Sequence, residues 1–251
     1  MRLILPFFII FVLTATLPTY AAADSDGNQQ LSKDDAIKAL QGIQGEVVSV
    51  DPAEMPGLFR VAMRMQGKVI PLYLDASGAY LFTGNVIRIE DRKNLTEAYY
   101  QKLNPVDIST IPLEDALILG NPEASQRTIV FTDPHCPYCT KLHKVLHDAI
   151  KTNPDLVFYI KLIPFKQSSQ KITQTILCNK SMEQLEMAFS GQALPEPTCE
   201  TDTIAKNLAL AQALNIRGTP ALVLPNGQLS SGYSPLEDLL KMIEENRVAA
   251  K

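Results

Sequence analysis

The chain has 251 residues, 46% hydrophobic and 20% charged, a balance that supports a buried core and excludes disordered and collagen-like classes. Its 23 Lys and Arg are outnumbered by 27 Asp and Glu, for a net charge of -4. Nothing in that charge recruits a phosphate backbone, so nucleic acid is not expected as a partner.

Residues 1–23 read as a secretory signal peptide. Arg2 precedes an uncharged apolar run from Leu3 to Leu17, followed by Pro18 and the small residues Ala21-Ala22-Ala23. A transmembrane anchor is the rival reading, but the run is shorter than the ~20 residues that cross a bilayer. An exported chain meets an oxidising compartment, where disulfides persist. Its four cysteines allow three pairings. The economical one joins Cys136 to Cys139 as a local redox pair and Cys178 to Cys199 as a longer staple.

Ser32 caps an expected short helix carrying Ala36, Ile37 and Leu40, with Gly42 and Gly45 beyond its end. Strand patterns follow at Leu58 to Met65 and Val69 to Leu74, separated by a Gln66-Gly67 turn. After Ser77-Gly78, a third run extends from Tyr80 to Ile89. Glu90 to Gln101 is charged and helix-prone, and Asn104-Pro105 and Ile111-Pro112 then interrupt it. The domain boundary is expected there.

The second half alternates. Arg127 to Thr132 is a strand, Cys136 to Lys151 a helix and Leu156 to Ile163 a strand, an order that argues for parallel pairing. A mostly helical stretch runs from Lys166 to Leu214, with a capping box at Ser181 and Gln184 and a stop at Gly191. Pro220 to Leu224 and Gln228 to Tyr233 flank Asn226-Gly227, a two-residue hairpin signal. Ser234-Pro235-Leu236-Glu237 then announces a last helix with Ser234 as its cap. Strand, helix, strand, helical insertion, hairpin and helix is the order of a thioredoxin fold.

Within Phe131-Thr132-Asp133-Pro134-His135-Cys136-Pro137-Tyr138-Cys139, the dithiol falls at a strand-to-helix junction. Unpaired N–H groups and the positive end of the helix dipole favour an anion at Cys136. Cys139, one turn in, is sheltered and suited to resolve a mixed disulfide. His135 adds positive charge when protonated, or is only structural.

An inert staple closing so short a loop would restrain the unfolded chain little. A zinc site from Cys136, Cys139, His143 and His147 fails on reach, since on one helix the first and last lie about 16 Å apart at ~1.5 Å per residue. No metal is therefore expected from these four together. A zinc pair completed from elsewhere is the remaining metal reading, and His143 and His147 are expected on a solvated helix face.

Arg217-Gly218-Thr219-Pro220-Ala221 places a proline at the start of a β-rich run. It is either an ordinary turn proline or a cis peptide whose backbone lies beside the dithiol and pairs with a substrate strand.

The dithiol, the Gly218-Thr219-Pro220-Ala221 segment, the Asn226-Gly227 hairpin and the cysteine-bearing insertion together resemble the DsbC/DsbG family of periplasmic thiol:disulfide interchange proteins. The resemblance extends through the amino-terminal unit. It implies an α/β thioredoxin fold with a helical insertion at 112–251. A linker helix at 92–111 and a small α+β cystatin-like dimerisation domain at 24–91 would precede it. It further implies a periplasmic homodimer with chaperone activity that acts on misfolded disulfide-containing proteins. Cys136 would be the attacking thiolate, Cys139 the resolving thiol, and Thr219 with Pro220 the substrate-facing loop. No cofactor is implied, and a membrane reductase of the DsbD type would supply electrons. Cys178 and Cys199 match the structural disulfide of DsbC-type proteins, whereas Pro137-Tyr138 is the dipeptide associated with DsbG. The disulfide is weighted more heavily, because a staple requires both partners. The rival activities are a DsbG-like reductase of sulfenylated cysteines, a dithiol oxidase and a holdase whose dithiol is incidental.

Overall fold

A computed structural model describes residues 30–248. The expected signal peptide lies outside them, and no helix among the described residues is long and apolar enough to cross a membrane.

The first part is a helix and an antiparallel sheet. Helix α1 (Lys33–Ala39) is capped by Ser32, whose hydroxyl accepts the N–H of Asp35 at 3.1 Å. Strands β1 (Glu46–Pro52), β2 (Leu58–Met65), β3 (Lys68–Asp75) and β4 (Leu81–Phe82) pair in that order. Met65 pairs with Lys68 across Gln66 and Gly67, both at positive φ (49° and 81°), the conformation of the twist-matched hairpin turn. One face buries Val47, Phe59, Val61, Met63, Leu72 and Leu74 against Leu31, Ala36 and Leu40.

Strand β1 was not expected from the sequence. The expected strand from Tyr80 to Ile89 shrinks to the two residues of β4, plus one isolated bridge between Ile87 and Asn94. Its composition favours a strand, yet β3 is its only neighbour. Tyr80 and Ile89 stand 68% and 91% exposed.

Helix α2 (Leu95–Leu103) is docked on the first sheet rather than free. The Tyr73 and Thr96 hydroxyls bond at 2.8 Å, and Tyr99 donates to Asp51 at 2.9 Å. Asn104 accepts the N–H of Val69 at 3.0 Å and donates to its carbonyl at 2.8 Å. Two residues on, the N–H of Val106 donates to the carbonyl of Gly227 at 2.8 Å.

The second sheet has the order β5 (Leu117–Gly120), β7 (Leu156–Leu162), β6 (Gln126–Thr132), β8 (Ala221–Val223), β9 (Leu229–Ser231), and only β6 and β7 pair in parallel. Short β5 is a further strand not read from sequence. Both faces are covered, so β7 is buried throughout and alternates between two cores. Phe158, Ile160 and Leu162 face α3 (Pro137–Thr152) and α7 (Leu236–Glu245) with Leu142, Leu146, Leu239 and Ile243. Val157 and Tyr159 join Ile129, Phe131 and Ala211, the last from α6 (Thr203–Ala213). Lys161 in β7 is 1% exposed; its ammonium donates to Asp115 and, at 2.7 Å, to the carbonyl of Pro112. Asn207 fixes the other Asp115 oxygen at 2.7 Å.

Helices α4 (Gln167–Asn179) and α5 (Met182–Phe189) form the insertion with α6, and Ser181 caps α5 by accepting the Gln184 N–H at 3.1 Å. The β8–β9 connection is a three-residue loop, Pro225 to Gly227, with Leu224 bonded to Gln228. The extra residue follows from Gly227 taking the left-handed conformation (φ 88°) after an ordinary turn. A Cβ there would sit 1.9 Å from the Val106 carbonyl oxygen, so glycine is required by space as well as by angle. The last helix starts one residue later than expected. Its cap is Pro235, whose fixed φ suits the position, and no side chain completes the cap.

Candidate functional site

Strand β6 ends at Thr132, and buried Asp133 turns the chain into α3. Its carboxylate accepts the backbone N–H of His135 at 2.8 Å and of Phe165 at 3.1 Å, while its carbonyl accepts the Cys136 N–H at 3.0 Å. Cys136 thereby becomes the cap residue of α3, with Pro137 at the first helical position, where a missing N–H costs nothing. The half-buried Cys136 thiol sits at the positive end of the helix. Its Sγ lies 3.3 Å from the carbonyl oxygen of Thr219. The Thr219-Pro220 peptide is cis.

Both thiols are free, and they differ in environment. Partial burial opposes ionisation of Cys136. Hydrogen bonds from the Cys139 thiol and the Cys139 N–H, with smaller help from Thr219 and the Tyr138 N–H, outweigh it and hold the pKa below the ordinary thiol value. Cys139 is 1% exposed, and burial pushes its thiol up to about 12. One group is prepared as a nucleophile, and the other is held as a thiol beneath it.

Three exposed aromatic residues belong to segments tied to this site through the backbone: Tyr138 in the first turn of α3, Phe165, whose N–H bonds Asp133, and Tyr233. Tyr233 follows Gly232, whose N–H donates to the Pro220 carbonyl at 2.8 Å. Sequence reading did not single out Asp133 or Phe165. Asp-Pro ahead of the dithiol was the available signal for the first. Only the fold brings in the second. His135 is exposed beside Cys136.

Cys178, at the end of α4, is bonded to Cys199, with Cα atoms 5.7 Å apart; the bridge lies within the insertion and ties α4 to the segment between α5 and α6. His143 departs from expectation, since it is buried rather than solvated, while His147 is partly exposed. The rings meet edge to face, and Phe189 covers His143 with centroids 5.0 Å apart. Burial, reinforced by His147, pushes the His143 imidazole down to about 4, so it is neutral at pH 7.

Residues 113–247 match the family profile of the thioredoxin-like domain, and residues 21–97 that of the disulfide bond isomerase protein N-terminal domain. The chain is similar to the thiol:disulfide interchange protein DsbC of Escherichia coli (strain K12), at 26% identity over 249 residues that cover 96% of each chain. It is 30% identical over 208 residues to a probable thiol:disulfide interchange protein DsbC of Bordetella parapertussis, spanning 82% of this chain and 72% of that one. The DsbC of Dickeya dadantii aligns at 26% over 187 residues, 72% of this chain and 75% of that one.

Proposed function

The chain belongs to the DsbC family of thiol:disulfide interchange proteins, and we propose that Cys136 and Cys139 carry its exchange chemistry. It is a thiol–disulfide oxidoreductase of the isomerase kind. The observation that supports the residue roles is the contrast between a lowered Cys136 at a helix N-terminus and a buried Cys139 one turn below.

The Cys136 thiolate attacks one sulfur of a client disulfide, forming a mixed disulfide and releasing the client's other sulfur as a thiolate. A client thiolate then attacks its own sulfur in the mixed disulfide. That restores the Cys136 thiolate and leaves the client with a new pairing and no net electron transfer. Alternatively Cys139 loses its proton and attacks Cys136, the client leaves with two thiols, and the protein leaves as the Cys136–Cys139 disulfide. Burial of Cys139 keeps its thiolate scarce, which lengthens the mixed-disulfide stage and favours rearrangement over reduction. The oxidised protein then needs two electrons, from a membrane reductase of the DsbD type.

Thr219 and Pro220 are the substrate-facing loop in this reading, because the Thr219 carbonyl already reaches Cys136. Tyr138, Phe165 and Tyr233 offer apolar surface to unfolded chains, the basis for a holding activity. Residues 24–91 serve as the dimerisation domain, 92–111 as its linker helix and 112–251 as the catalytic domain. Exposed Tyr80, Leu81, Phe82 and Ile87 along the β4 edge supply a surface for a second copy. The site of action is the periplasm, following export directed by residues 1–23.

The test is recovery of a scrambled multi-disulfide protein in glutathione buffer with wild type and Cys136→Ser. Acceleration by wild type alone supports the assignment. Equal recovery with both, while client aggregation is still suppressed, would identify a holdase instead.

A further inference from the structure

The imidazoles of His143 and His147 and the carboxylate of Glu186 converge on one point. We propose that they form a site for a divalent transition metal of the zinc class. His143 and His147 stand four apart on α3 and so share a face, and Glu186 arrives from α5. Nε2 of His143 lies 3.2 Å from Nε2 of His147 and 3.8 Å from Oε1 of Glu186, and the third edge, His147 to Glu186, is 3.1 Å. An ion bonded at ~2.0–2.1 Å in tetrahedral geometry holds its ligand atoms about 3.3–3.4 Å apart. The three edges bracket that spacing.

Hydrogen bonding alone serves this trio poorly. An imidazole Nε2 carries either one N–H or one in-plane lone pair. If His147 donates to Glu186, His143 can only share that one N–H as a second acceptor; if it accepts from His143, its lone pair faces the carboxylate. A cation accepts all three lone pairs at once. The surroundings also suit an ion, since Phe189 and burial dry the His143 side while His147 and Glu186 are partly open to solvent. That opening provides a way in and room for a water as fourth ligand. Two imidazoles and a carboxylate without sulfur select zinc-class divalent ions over copper(I). The bound ion would fasten the helical insertion to the helix that bears the dithiol.

The test uses the full untagged chain with Cys136 and Cys139 oxidised to their disulfide, so that no thiolate competes. Titration with Co²⁺ is expected to give one equivalent of tetrahedral visible absorption without thiolate charge transfer, and Zn²⁺ should displace it. His147→Gln and Glu186→Gln, both at partly exposed positions, should each weaken binding by ~100-fold or more, since even losing a group behind a ligand costs 10–100-fold. Zn²⁺ should raise the Tm of the wild type in a concentration-dependent way and leave both variants unmoved. Absence of saturable binding, or equal binding by wild type and both variants, overturns the proposal.

Discussion

Cys136 Sγ lies 3.3 Å from the carbonyl oxygen of Thr219, although 83 residues separate the two in sequence. The contact joins the start of α3 to the segment just before β8, so the nucleophile is positioned by the chain leaving β6 and the chain entering β8, two strands paired in the second sheet.

The two thiols should therefore be separable by pH. Cys136 should alkylate with a pH midpoint below that of a free cysteine, ~8.5, because its thiolate is favoured in the fold. Cys139 should stay unmodified across the same range until the protein unfolds. The linkage has a sign: a lowered folded pKa adds stability that is complete above the unfolded value and lost as pH falls through the folded one. Timed alkylation with mass mapping checks this. Equal rates at the two sulfurs would contradict the assignment.

Asp115→Ala should destabilise the protein by ~3–5 kcal/mol, because it strands the Lys161 ammonium inside β7. Adding Lys161→Met should recover most of that loss. Urea unfolding of the single and double variants measures both. A single variant within about 1 kcal/mol of wild type would show that the Pro112 carbonyl alone satisfies Lys161.

Gly227→Ala should disturb the linker rather than the dithiol, since its Cβ meets the Val106 carbonyl oxygen at 1.9 Å. We expect faster proteolysis between Asn104 and Val106 at nearly unchanged Cys136 alkylation. Cleavage no faster than in wild type would mean that the hairpin shifts instead.

Replacing Cys178 and Cys199 by Ser should cost ~3 kcal/mol, the loop-closure entropy for a sequence separation of 21, with loss of stability concentrated in the insertion. Hydrogen exchange would show early opening of α4 and α5 relative to β6 and β7. Uniform loss across the domain would argue against a local staple.

Most features set by neighbours in sequence were legible in it, the cap of the last helix and the length of the Asn226-Gly227 loop excepted. The Ser32 and Ser181 caps, the Gln66-Gly67 turn and the strand-to-helix placement of the dithiol depend on a few adjacent residues. Features set by distant partners were not. Tyr80 to Ile89 has strand composition but one neighbouring strand, β5 is four residues long, and His143 is buried only because Phe189 and Glu186 arrive from α5. Asp133 builds its own turn but also holds Phe165, 32 residues away, a partner that only the fold supplies.

The two attachments around the linker leave one residue between them. Asn104 is bonded to Val69 of the first sheet, and Val106 to Gly227 of the second domain's hairpin. Pro105 alone separates them, and its ring already fixes φ. Such a joint has no slack, so the reach from the first sheet to the hairpin is set within one chain. If two copies join through their first sheets, each dithiol is carried at a set reach from the shared axis, and the gap between the two sulfurs becomes a gauge for the size of the chain admitted.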